Sequence, residues 1–267
     1  MQRGAVNDIL RRKSFRLFNK TVQSFLGYKF LGWNDPYNTF DFLMDSSEKV
    51  GVKSEFYFIP SQIDEPYTFY DYRDKKVAEE VKHIIERGHK VGVHGSYRAY
   101  NDKTIFEKEL ERFIKTWKIR PVEGRQHFLR FSVPKTWQIW SETGMEEDSS
   151  LGFTSHAGFR TGTCYSYKVF DILQRKELTL TETPLLLMEV ALLKEVHYNF
   201  EVFFKKAIEL KNNVKQFNGT FVFLWHNNSF DFGIFYDKKQ FLLLSLLKWI
   251  YYFLSSDYKC FKCTVYI

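Results

Sequence analysis

From about residue 39 onward, short apolar runs alternate with longer stretches whose apolar positions recur every three or four residues. Thr39 to Val50 carries Phe40, Leu43 and Met44 on one face and predicts a helix, with Gly51 placed as its C-cap. Ser54 to Ile59 predicts a strand that Pro60 ends. Asp74 to Arg87 lines up Val77, Val81, Ile84 and Ile85 and predicts a helix closed by Gly88. There follow a strand over Lys90 to His94, a helix over Lys103 to Trp117 capped by Asp102, and a strand over Glu123 to Phe128. Next come a helix over Lys135 to Thr143, after Pro134, and a short strand within Met145 to Phe153. Leu185 to Val190 predicts a buried strand. Tyr198 to Phe217 predicts a long helix with Phe200, Phe203, Phe204, Ala207, Val214 and Phe217 inward. Phe221 to Trp225 predicts a strand, Lys238 to Leu254 a closing helix and Phe261 to Ile267 a last strand. Asn34-Asp35-Pro36 marks a turn, and residues 1–33 form a basic, weakly helical arm ahead of a domain over 34–267.

Strands alternating with helices predict a mainly parallel sheet, and short continuous apolar strands predict burial on both of its faces. Active residues of such folds sit at the carboxyl ends of strands. Three strands carry titratable groups there: Lys90 to Val93 leads to His94, Glu123 to Phe128 holds Arg125 and His127, and Phe221 to Trp225 leads to His226.

Composition narrows the classes. Apolar residues are 44% of the chain, enough for a full core, and aromatics are 19%. Most such rings belong in a core, though aromatic faces also suit a carbohydrate cleft. Net charge is +7, with Arg3, Arg11, Arg12, Lys13, Arg16 and Lys20 crowded at the start. No nucleic-acid motif accompanies them, so no nucleic-acid partner is expected. The arm is read as solvated surface, with weak contact to an anionic membrane surface or a phosphate-bearing glycan as the other readings. No apolar signal-peptide core opens the chain, and the run Phe241 to Leu254 is interrupted by Ser245 and Lys248, so no transmembrane segment is expected. The three cysteines are Cys164 and the pair Cys260 and Cys263. One C-x-x-C without a second pair is not a zinc ribbon, and the count suits a reducing compartment; a cytoplasmic protein is expected.

The histidine segments carry a family resemblance. Gly88-His89-Lys90-Val91-Gly92-Val93-His94-Gly95-Ser96-Tyr97, Arg125-Gln126-His127-Phe128, Asp148 to Phe153, Gly158-Phe159-Arg160 and Leu224-Trp225-His226-Asn227 resemble, in order, motifs of the polysaccharide deacetylases, carbohydrate esterase family 4. The closest likeness is to a branch linked to bacterial surface-polysaccharide gene clusters. The resemblance implies a distorted seven-stranded α/β barrel and a hydrolase that removes acetyl groups from N-acetylated sugars of a surface polysaccharide or its precursor. It implies a divalent metal, zinc, held by His94 with His127 as second ligand, and His226 as general acid. Arg125 and Arg160 would orient a carboxylate or stabilise charge, with Asp148 pairing with either. Tyr97, Trp225 and Asn227 would meet the carbohydrate substrate.

Two departures stand out. The residue four after His94 is Arg98, where the family has a second histidine, and His127 stands where it has proline. The family's first strand, with its two aspartates, has no counterpart: Asp8 and Asp35 lie on no good strand, and Asp41 sits in the predicted helix. The first strand is therefore expected to be missing, leaving two unpaired strand edges. The chemistry is coherent: a metal lowers the pKa of bound water and polarises a carbonyl, neutral imidazoles hold zinc, and a histidine can protonate the leaving amine. The alternatives are a non-catalytic relative that binds glycan, an inactive fragment lacking the aspartate strand, or a basic scaffold docking on membrane or nucleic acid through the arm. His94 and His127 as structural histidines bonded to backbone, and Asp148 as a turn residue, remain open readings.

Overall fold

The computed structural model describes residues 22, 38–49, 51–61, 68, 70–227, 229 and 261–266. The expected basic arm (1–33), the turn at 34–36, the helix over 238–254 and Cys260 lie outside the described residues. Nine strands form one sheet: β1 (Glu55–Phe58), β2 (Lys90–Gly95), β3 (Glu123–Gln126), β4 (Glu147–Asp148), β5 (Tyr167–Asp171), β6 (Lys176–Glu182), β7 (Leu187–Met188), β8 (Phe221–His226) and β9 (Phe261–Tyr266). The order is β5-β6-β4-β3-β2-β1-β9-β8-β7. Every neighbour pair is parallel except β5 with β6.

Among the described residues six helices accompany it: α1 (Phe40–Glu48), α2 (Lys75–Glu86), α3 (Lys103–Trp117), α4 (Lys135–Glu142), α5 (Glu189–Glu195) and α6 (Phe200–Gln216). Local chemistry sets their ends. Asp74, Asp102 and Asn199 each accept a hydrogen bond from a first-turn amide, from Lys76, Ile105 and Val202 respectively. Gly88, at φ +78°, ends α2 in the left-handed conformation that a side chain resists.

Side chains alternate across each strand, and the alternation divides the core. Phe56 and Phe58 of β1, Val91 and Val93 of β2, and Phe221, Phe223 and Trp225 of β8 join the large cluster that also takes in Leu43, Ile84, Phe113 and Trp140 from the helices. Tyr57, Val222 and Leu224 face the other way, into a small cluster with Leu129 and Leu185. His94 and His226 follow this second parity. Gly92 shares it, and its missing Cβ leaves room for the Tyr57 ring.

Several expectations need correction. Among the described residues the sheet has nine strands rather than seven. The β5–β6 hairpin was unread because its burial alternates along the chain, unlike the continuous apolar runs of the central strands. The run Leu185 to Val190 gives only two residues of strand before α5 begins at Glu189; an apolar run of that length fits either element. β3 stops at Gln126, and His127–Leu129 form a 3-10 turn. Phe217, expected to face inward, is exposed. The edges of β1 and β8 are not left unpaired, because β9 lies between them: Glu55 pairs with Thr264, and Trp225 with Val265.

Candidate active site

Three elements deliver three imidazoles. His94 is the penultimate residue of β2, His127 the first residue beyond β3, and His226 the last residue of β8. The register sets His94 beside Arg125, so His127, two residues on, reaches the same face.

His94 is buried. Its Nδ1 lies 2.8 Å from the Arg125 carbonyl and its Nε2 lies 2.9 Å from His127 Nδ1. A carbonyl only accepts, so His94 Nδ1 carries the proton and Nε2 presents a lone pair toward His127. His127 Nδ1–H then donates to it. Burial, followed by the charge of His127, holds the His94 imidazole well below the usual histidine range. Burial, followed by the charge of His226, lowers His127 to about 4. Both rings are therefore neutral at pH 7, and His226 stands near enough to act electrostatically on both.

His226 is held from behind by Glu189, a fully buried carboxylate at the start of α5. One oxygen, Glu189 Oε1, receives three hydrogen bonds: from the His226 amide at 2.8 Å, from His226 Nδ1 at 2.5 Å and from the Ser229 hydroxyl at 2.5 Å. This carboxylate fixes the ring's orientation, while the imidazole keeps some exposure to solvent. The sequence reading missed Glu189 because it assigned the residue to a strand interior. The available signal was a lone acid within an apolar run, which must find a partner when buried.

The other expected residues fall in different places. Arg125 lies under the histidines. It is fully buried, donates through Nε and Nη2 to Ser149, the latter at 2.7 Å to the hydroxyl, and sits 5.7 Å from the Tyr57 ring centre. Burial lowers its pKa, and the nearby Tyr57, Glu55, Asp148 and Glu182 act against that shift.

Asp148 is also fully buried; its Oδ1 accepts from the Ser150 amide at 3.0 Å and hydroxyl at 2.5 Å. It pairs in register with Glu182, and the two buried carboxyl groups lie close enough to act on each other. Burial pushes both upward, and the charge of Asp148 pushes Glu182 further.

Arg160 is exposed and donates to the Gly152 carbonyl at 2.9 Å. Trp225, expected at the substrate, is 2% exposed and packs with Phe223 in the large cluster. Strand alternation turns it away from the face that His226 uses. Tyr97 is half-buried beside the histidine pair, next to Phe128. Asn227 follows His226, and its carbonyl accepts from the Thr39 hydroxyl at 3.0 Å. Asp41 lies on the outer face of α1, bonded to His83 and Arg87 of the α2 region.

Comparison with known proteins places this geometry in a fold. The chain matches a solved structure titled "Crystal structure of putative polysaccharide deacetylase from Mycobacterium smegmatis", with TM-score 0.60 and 15% identity over 87% of this chain and 74% of that one. The fold is polysaccharide deacetylase-like. No family model matches the sequence, and no curated protein matches it. At this identity the likeness speaks for the arrangement of strands and helices alone. The donor set bears on a metal as follows. His94 Nε2 and His127 Nδ1 meet at 2.9 Å in a direct hydrogen bond, which engages the facing nitrogens of both rings. Among the described residues no group of three His, Cys, Asp or Glu side chains could hold a metal ion.

Proposed function

We propose that this chain is a deacetylase-type hydrolase acting on an N-acetylated sugar of a bacterial surface polysaccharide or its precursor. The supporting observation is the contact of His94 with His127 at the carboxyl ends of neighbouring parallel strands, with the Glu189-backed His226 of a third strand near enough to act on both electrostatically. The fold reading extends to a closed barrel, with the histidine face lining its interior.

In this reading His94 Nε2 and His127 Nδ1 hold a divalent cation, zinc by donor type. The Arg125 carbonyl, accepting from His94 Nδ1–H, keeps His94 in the tautomer a ligand needs. His127 must move its proton from Nδ1 to Nε2 to join it. When bound, such an ion lowers the pKa of water and polarises the acetyl carbonyl. His226 supplies the proton to the departing amine from Nε2, while Glu189 holds Nδ1. Arg125, Ser149 and Asp148 form the buried support under the ligands, Arg160 a charged group at the outer edge, and Tyr97 and Asn227 the flanks of the substrate site.

One experiment tests the reading. Purified protein is assayed for bound metal by mass spectrometry and for acetate release from N-acetylglucosamine oligomers. Bound zinc that is lost in His94→Ala, with acetate release abolished in His226→Ala, is the expected result. Metal-free wild type with no acetate release overturns it. A second reading, a glycan-binding relative without turnover, draws on the direct His94–His127 hydrogen bond, which satisfies the facing nitrogens of both rings without an ion.

A further inference from the structure

The turn after β3 is built against local backbone preference. Phe128 and Leu129 both take left-handed conformations, with φ of +58° and +52°. Side chains resist that region, and bulky ones most of all, whereas glycine enters it freely. Leu129 has a compensation, since it is buried in the small inner cluster. Phe128 differs in burial: the residue is 53% exposed. The ring meets its neighbours edge to face, with centroids 4.4 Å from His127 and 5.9 Å from Tyr97. A strained backbone that holds an apolar ring out to water, beside a buried histidine pair, is poorly explained by stability and well explained by binding.

The surroundings fix that ring in place. The Arg130 guanidinium lies between two tyrosines, 3.9 Å from the Tyr97 ring centre and 4.1 Å from that of Tyr100. Arg130 Nη1 also donates to the Tyr97 carbonyl at 2.7 Å. This cation–π sandwich ties the loop after β2, which follows His94, to the turn after β3, which carries His127. Tyr97 and Phe128 are thereby held as one ledge at the rim of the site.

We propose that Phe128, flanked by Tyr97, is a stacking platform for the apolar C–H face of a pyranose ring, and that Arg130 is the positioning residue that fixes it. A pyranose presents such a face wherever its ring hydrogens are axial, and an exposed phenyl is a matching surface that needs no hydrogen-bond partner. The inference rests on the proposed carbohydrate function for the identity of the ligand.

The test uses the full chain, N-acetylglucosamine tetramer as probe, calorimetric binding, acetate release and thermal unfolding. Phe128→Gly relieves the left-handed strain, so its melting temperature rises by about 2–4 °C while tetramer binding weakens about tenfold. Phe128→Trp retains binding. Arg130→Ala raises KM about as much as Phe128→Gly does, and Arg130→Lys, which keeps a cation between the rings, recovers part of the loss. A Phe128→Gly protein that melts lower than wild type, or binds the tetramer equally well, overturns the proposal. The two readings fail separately. Phe128-dependent binding without acetate release leaves the platform standing and removes the deacetylase reading. Acetate release indifferent to Phe128 does the reverse, and a wild type that neither binds nor cleaves the tetramer removes both.

Discussion

Glu189 offers the sharpest test of how the site is held. Its Oε1 takes three donors, two of them at 2.5 Å, and the residue is fully buried. Replacing it with alanine leaves the His226 amide, the His226 ring and the Ser229 hydroxyl without their acceptor. Each orphaned donor costs about 1–3 kcal/mol, and breaking a buried charged pair costs about 3–5 kcal/mol in total. Glu189→Ala is therefore expected to lose about 4 kcal/mol of stability. Glu189→Gln keeps the volume and a carbonyl oxygen but loses the charge, and about 1–2 kcal/mol is expected. Urea unfolding with linear extrapolation measures both. Activity separates the roles further. Glu189→Gln remains folded, and under the proposed deacetylase function its acetate release falls about a hundredfold or more, because an amide holds the general-acid histidine poorly. An alanine variant within 1 kcal/mol of wild type, or a glutamine variant as unstable as alanine, refutes the assignment of Glu189 as the anchor of His226.

Other expectations follow from the buried groups. The Asp148–Glu182 pair has raised affinity for protons in the folded state, so the stability it contributes is fully present in acid, below the ordinary carboxylate range, and is lost as pH rises through the folded pKa values. Urea midpoints of wild type measured from pH 4 to 8 should carry this decline, and Glu182→Gln should flatten it; parallel profiles would refute the raised proton affinity. Gly124→Ala places a Cβ against the Val93 carbonyl at the centre of the sheet, where neither backbone can give way. A loss of at least about 3 kcal/mol, or failure to fold, is expected by circular dichroism. Trp225→Ala, deep in the large cluster, should cost about 3–5 kcal/mol in unfolding experiments; if it instead raises KM in a stable protein, the ring meets substrate after all.

The sequence made the central strands legible because β1, β2 and β8 are short apolar runs closed by Pro60, His94 and His226, and the helices legible because α2 and α3 carry clean stripes behind Asp74 and Asp102. His94, His127 and His226 were legible as candidates from their places at strand ends together with the motif resemblance. What stayed hidden has a common cause. Glu189 and Glu182 act through partners some thirty to forty-five residues away in the chain, and no local pattern encodes that pairing. The left-handed turn at Phe128 and Leu129 was unreadable for a related reason, since neither residue is the glycine that normally announces such a turn. Arg125 and Trp225 read as cleft residues because they neighbour histidines, yet one supports the site from beneath and the other faces away from it.

The place of β9 governs how this sheet comes together. Its residues pair with β1 across a sequence separation of roughly two hundred residues and with β8 across some forty. Until that strand docks, both flanking strands are open ladders in the middle of the protein, each able to template another chain. Assembly thus ends with the insertion of a keystone, and an intermediate lacking it would be the species that self-associates during refolding at high concentration.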